Sequence, residues 1–193
     1  MGLRQQVMAP HIRPLFATAS LAGFAFTVHC VDVNAPPENP DHYYEGELRA
    51  VDALRPGDVM VVSTCNASYW GELLATASRS RGAVGIVADA YTRDTQKLIE
   101  MEFPTFVAGI SACDSLGRID VDQVGVPIEC GGVSVNPDDL MLADYDGVVV
   151  VPSGVAEEAV SLAEEKASGE NLVRDKLAQG MPVWEAFHTY GVI

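Results

Sequence analysis

Between Val59 and Ala108 the chain alternates short apolar runs with segments of helical spacing, and this alternation constrains its fold more than any other feature. Val59 to Ser63, Val84 to Ala88 and Thr105 to Ala108 are the apolar runs, with Trp70 to Ser80 and Arg93 to Met101 between them. Strands joined by helices pair in parallel, so the pattern predicts an α/β fold. Local signals agree. Arg55-Pro56-Gly57-Asp58 is a turn, Gly82 follows Arg79 and Arg81 at the end of the first helix, Thr92 can cap the second, and Pro104 opens the last strand.

The flanking segments read less regularly. Gly23 to Val31 is a strand, and Pro36, Pro37 and Pro40 make Asp32 to Asp41 a loop, either a lid or a simple connection. Tyr44 to Leu54 has helical spacing. Ile119 to Val151 holds short apolar strands separated by Gly131-Gly132, Asn136-Pro137-Asp138-Asp139 and Asp146-Gly147, and reads as a second, mostly antiparallel β layer. A long C-terminal helix runs from Ala156 past Gly169 to Ala178 and ends at Gly180-Met181-Pro182. The organisation expected is one domain, with a core at about 10–152 and a helical extension at about 153–193.

A net charge of -15 argues against a nucleic-acid partner, because binding polyphosphate requires clustered Lys and Arg. It suits an acidic enzyme or a protein that docks on a basic surface. The apolar stretch Leu15 to Phe26 is too short to span a bilayer, no targeting segment is evident, and a cytoplasmic location is expected. Cys30, Cys65, Cys113 and Cys130 form no C-x-x-C pair and read as buried free thiols.

Neighbouring parallel strands deliver the residues beyond their carboxyl ends to one crevice, where α/β sheets place ligands. Here those residues are Gly71-Glu72-Leu73-Leu74 and Arg93-Asp94. Taken alone, Glu72 is an ordinary helix start and Arg93-Asp94 a solvated pair. Together they offer backbone N–H groups at a helix N-terminus, an Arg for a substrate carboxylate, and carboxylates for a hydrated divalent ion. Such a set suits stabilisation of charge on a 2-oxo acid when the adjacent carbon-carbon bond breaks. A Schiff-base route is less favoured, since Lys97, Lys166 and Lys176 all lie in polar settings. His29 and Cys30 point to opposite faces of a strand, while His11, His42 and His188 lack ligand-spaced partners. Asp89 either reaches the crevice or caps a turn, and Asp144 and Asp146 shape one.

Trp70-Gly71-Glu72-Leu73-Leu74-Ala75-Thr76-Ala77, Arg81-Gly82-Ala83-Val84-Gly85, Asp89 and Arg93-Asp94 occur in an order that resembles the RraA-like family. Gly131-Gly132-Val133, Pro137-Asp138-Asp139 and Asp144 to Pro152 extend the resemblance over roughly residues 10–178. Its enzymes include 4-hydroxy-4-methyl-2-oxoglutarate / 4-carboxy-4-hydroxy-2-oxoadipate aldolases. The resemblance implies a three-layer β/β/α fold like the swivelling phosphohistidine domain, a homotrimer or hexamer, and Mg²⁺ or Mn²⁺. It implies a metal-dependent (class II) pyruvate aldolase, a carbon-carbon lyase acting on small 2-oxo acids, with possible oxaloacetate decarboxylase activity. Pyruvate would bind to the backbone of Gly71, Glu72, Leu73 and Leu74 and to Arg93, with Asp94 on the metal and Glu72 holding it through water. Glu170, with Glu165 as second choice, matches a glutamate that reaches a neighbouring subunit's site. Other members bind and inhibit a ribonuclease without catalysis, which is the alternative function. Against the family pattern, Glu72 stands where Asp is frequent, Ala90 and Asp138 where Gly is usual, and Lys97 where an acid is common; the family's first helix is not evident.

Overall fold

The computed structural model describes residues 2–192, so Met1 and Ile193 of the expected domain lie outside it. The strands are β1 Arg13–Pro14, β2 Leu21–Asp32, β3 Asp58–Val62, β4 Ser68–Trp70, β5 Gly85–Thr92 and β6 Thr105–Ile110, followed by β7 Ile119–Val124, β8 Ile128–Cys130, β9 Val133–Val135, β10 Leu140–Ala143 and β11 Val148–Val151. The helices are α1 Glu45–Asp52, α2 Glu72–Ser80, α3 Thr95–Glu100, α4 Ala156–Ala178 and α5 Val183–Tyr190. Two compact units result, Met1–Ser153 and Gly154–Ile193.

In the first unit β2, β3, β5 and β6 pair in parallel, as expected from helical crossovers, and β4 adds a short parallel partner to the end of β5. β3 and the first half of β5 are apolar on both faces because both are covered. Met60 and Val62 join Trp70, Leu98 and Phe103 in one cluster with residues of α1 and α2. Val59, Val61 and Val87 face the other way, packing with Phe106 and with Ile128, Cys130, Val133 and Val135 of β8 and β9.

The expected second β layer is smaller than the sequence reading had it. Among the described residues only β8 and β9 form a separate sheet, whereas β7, β10 and β11 join the main one, which reaches nine strands. The physical reason is the length of β2. Its twelve residues turn the main chain of Phe24 and Val28 toward Gly57 and Ser63. Ala25 and Thr27 face the opposite edge, where they meet Asp138, Asp139 and Gly125. One edge of β2 therefore pairs with β10 at residues 21–24 and with β7 at residues 28–32.

Several boundaries also moved. Trp70 ends a strand instead of starting a helix, and Thr92 ends β5 instead of capping α3; its hydroxyl donates to the Trp70 carbonyl at 3.0 Å. Leu73, grouped by spacing with Leu74 and Ala77, is 76% exposed in the single chain, while Ala75 and Ser78 form the buried stripe of α2. Cys30, Cys65 and Cys130 are buried free thiols as expected, but Cys113 is only half-buried. Contact with Cys65 and burial hold the Cys30 thiol far above its ordinary range, and burial pushes Cys130 up to about 12, so both stay protonated and inert.

In the second unit α4 runs unbroken through Gly169, and α5, which the sequence reading did not separate, packs on it. Among the described residues no helix is long and apolar enough to cross a membrane.

Candidate active site

β4 and the end of β5 lie side by side, and the Trp70 carbonyl accepts the Arg93 backbone N–H at 3.0 Å. That bond brings the start of α2 against the residues leaving β5. The Glu72 N–H donates to Asp94 Oδ2 at 3.2 Å, so Asp94 satisfies one orphan donor of a helix whose own N-cap, Gly71, has no side chain to do it. A Cβ on Gly71 would stand 2.8 Å from Asp94 Oδ2 and 3.5 Å from Arg93 Cγ, so only glycine lets the strands come this close. Asp94 is exposed and left-handed (φ 57°), a conformation Asp tolerates better than most residues.

Gly71, Glu72, Arg93 and Asp94 are thus brought together. Leu73 and Leu74 follow in the first turn of α2, where their N–H groups precede any intrahelical partner. Thr76 Oγ1 donates to the Glu72 carbonyl at 2.9 Å and lies 3.4 Å from Glu72 Oε1. Glu170 and Glu165 belong to α4 in the second unit, where Glu170 pairs with Lys166 at 3.4 Å.

The sequence reading missed two residues here. Arg93 Nη1 donates to Asp114 Oδ1 at 2.5 Å, and Tyr44 Oη donates to Asp114 Oδ2 at 2.6 Å. Burial works against the charge on Asp114, but Tyr44 and Arg93 outweigh it and hold the carboxyl below its ordinary range. A signal existed. Asp114 follows β6, the next parallel strand, so the rule that placed Arg93 in the crevice applies to it as well.

Beside Tyr44, a cavity of about 210 Å³ is lined by Pro36, Pro37, Glu47, Gly117 and Asp120. Glu47 is buried, and burial pushes its carboxyl up to about 7. Between pH 4.5 and 7 the unfolded chain has lost this proton while the folded one keeps it, so the group's contribution to stability falls as pH rises through that window. Glu47→Gln is therefore expected to leave stability near pH 4 unchanged and to raise it at pH 8 by about 1–3 kcal/mol. Urea unfolding at the two pH values checks this, and an equal effect at both would refute it.

Asp89 lines a cavity with His11, Thr64, Cys65 and Tyr91, which neither Arg93 nor Asp94 lines. It lies 2.9 Å from His11 Nε2 and accepts from Thr64 Oγ1 at 2.5 Å and from the Gly131 N–H at 3.3 Å, which ties β5 to the amino-terminal segment and the β8–β9 turn. His42 pairs with Glu45, His188 bonds the Trp184 carbonyl, and Asp144 accepts the Asp146 N–H within a turn.

Among the described residues no group of three or more His, Cys, Asp or Glu could enclose a metal ion. Asp94 keeps Oδ1 outside the contact with Glu72, and Glu72 stands beside it. Two hard carboxylates at an exposed crevice fit a hydrated Mg²⁺ or Mn²⁺ that takes most of its ligands from water and substrate, and do not fit an all-protein cage.

A family model described as RraA-like, Aldolase/RraA, matches residues 1–150. A candidate 4-hydroxy-4-methyl-2-oxoglutarate aldolase of Halalkalibacterium halodurans is 32% identical over 126 residues, 64% of this chain and 60% of that relative. The chain spans less than two thirds of the length of the first curated relatives it matches. An uncharacterized protein from Pseudomonas syringae pv. tomato superposes with a TM-score of 0.85 at 27% identity, covering 95% of this chain and 83% of that one. RraAS2 of Streptomyces coelicolor, described as an unusual member of the RNase ES inhibitor RraA protein family, superposes with a TM-score of 0.76 at 27% identity, covering 91% of this chain and 87% of that one.

Proposed function

The chain belongs to the RraA-like, Aldolase/RraA family, and from that premise we propose that it is a divalent-metal-dependent aldolase cleaving 4-hydroxy-2-oxo acids such as 4-hydroxy-4-methyl-2-oxoglutarate to release pyruvate. Oxaloacetate decarboxylation draws on the same stabilisation of charge beside a 2-oxo group. The observation that carries the reading is the meeting of Gly71, Arg93 and Asp94, with a backbone N–H at the start of α2 directed at Asp94 Oδ2.

The N–H groups of Leu73 and Leu74 and the Arg93 guanidinium receive the substrate's 1-carboxylate, fixing the 2-oxo group near Asp94. The missing side chain at Gly71 lets Asp94 and Arg93 close on the backbone beside which that carboxylate would bind. Asp94 would hold the ion through its free oxygen and Glu72 would hold it through water, and the ion would supply a Lewis acid for the 2-oxo oxygen. In this reading the protein is a trimer or hexamer of the swivelling-domain type, and Glu170 of a neighbouring copy closes the site.

The test is pyruvate release from oxaloacetate and a panel of 4-hydroxy-2-oxo acids with Mg²⁺ or Mn²⁺, before and after chelation. Turnover should vanish with chelator and return with added ion. Absent or metal-independent turnover would sink the reading. It would favour the alternative, a non-catalytic regulator binding a ribonuclease, which the likeness to RraAS2 and the net charge of -15 support.

A further inference from the structure

Arg93 is held from one side only. Nη1 donates to Asp114 Oδ1 at 2.5 Å and, more weakly, to the Ser68 carbonyl at 3.4 Å. Among the described residues neither Nε nor Nη2 has a hydrogen-bond partner, and Nε lies 3.7 Å from the point a Cβ on Gly71 would occupy. The unused edge of the fork therefore lies beside the Gly71 backbone at the start of α2, next to Asp94.

Asp114 is itself locked, since its second oxygen accepts the Tyr44 hydroxyl at 2.6 Å. Tyr44 sits at φ 59°, a left-handed conformation costly for an aromatic residue, and it begins α1 without capping it by its side chain. Such outliers persist where the surroundings over-determine them, and the hydroxyl contact with Asp114 is one such restraint. The Arg93 and Asp114 side chains are 37% and 39% exposed, so solvent screens their attraction and the pair adds little to stability. What it supplies is direction.

We propose that Asp114 and Tyr44 are positioning residues that hold Arg93 by Nη1 and so present its Nε and Nη2 edge, side-on, to the planar carboxylate of a 2-oxo acid. The end-on pair Nη1 and Nη2 is disfavoured as the carboxylate clamp, because Asp114 and the Ser68 carbonyl already take the two N–H groups of Nη1. The inference rests on the aldolase reading for the identity of the anion.

Its test uses oxalate, a planar two-carbon dianion, titrated calorimetrically into the Mn²⁺-loaded protein alongside oxaloacetate kinetics. Asp114→Asn keeps shape and loses charge, and should weaken oxalate binding and raise KM roughly tenfold with a much smaller change in kcat. Tyr44→Phe should do the same to a lesser degree. A role confined to folding is separated by chemical rescue. Millimolar methylguanidinium should restore oxalate binding to Arg93→Ala but not to the Arg93→Ala/Asp114→Asn double variant, which lacks the anchor for the added cation. If wild type binds oxalate while Asp114→Asn binds it equally, or the double variant is rescued as well as the single one, the positioning role is overturned and the aldolase reading stands. If wild type neither binds oxalate nor releases pyruvate, both fall together.

Discussion

Asp94→Asn is expected to lower kcat/KM for metal-dependent pyruvate release by about 10³-fold, equivalent to about 4 kcal/mol of lost transition-state stabilisation. Asn is the informative replacement. It tolerates the left-handed backbone at φ 57° and keeps an oxygen for the Glu72 N–H, so the start of α2 and the fold survive. What it loses is the negative charge that a hard divalent ion requires. Asp94→Ala confounds that loss with about 1 kcal/mol for the missing helix partner and about 1 kcal/mol of backbone strain. Steady-state kinetics at saturating Mg²⁺, with urea unfolding in parallel, separates the two effects. An Asn variant retaining more than a tenth of the activity would show that the carboxylate is not the ion's anchor.

Trp70→Ala should cost about 3–5 kcal/mol of stability, the usual range for deleting a fully buried large aromatic side chain. Trp70 is wholly buried and stacks on Phe103 with ring centroids 5.9 Å apart. Its carbonyl also holds the Arg93 N–H, so the packing of one ring fixes the approach of β4 to β5 on which the crevice depends. For a unit of this size the melting temperature should fall by about 6–20 °C. Trp70→Phe provides the contrast. It retains most of the ring and removes an indole Nε1 that is buried without a partner among the described residues, so it should cost under about 1.5 kcal/mol. Differential scanning calorimetry decides, and an Ala variant melting within 2–3 °C of wild type would contradict the argument.

The parallel core was legible because Val59, Val61 and Val87 on one face and Met60 and Val62 on the other leave no polar side to mistake for a surface. The end of β5 was not. Its pairing with β6 shifts between Ala88 and Tyr91, and the irregularity carries the strand on to Thr92, which in isolation looks like a helix cap. β4 escaped because three residues are too few to show a period, and Trp70 fits a helical stripe as well as a strand end. In the crevice, Glu72, Arg93 and Asp94 were legible as residues just past strand ends, yet the anchoring of Arg93 was not. Asp114 lies 21 positions downstream and nothing local marks it as a partner of Tyr44, a contact between residues 70 positions apart. Asp138 shows the reverse case. The resemblance to the family implied Gly at this position, and the φ of 66° is a left-handed conformation that Gly adopts without strain.

The double pairing of β2 sets the order in which the molecule can be completed during synthesis. Residues 21–24 must wait for residues 140–143, so the early strand leaves the ribosome with one edge open for most of translation. The crevice elements, from Ser68 to Asp114, are contiguous and can assemble well before that edge closes. A nascent chain arrested near residue 150, its last few tens of residues still inside the ribosome, would therefore carry a nearly formed crevice beside an unpaired apolar strand edge, a state exposed to aggregation.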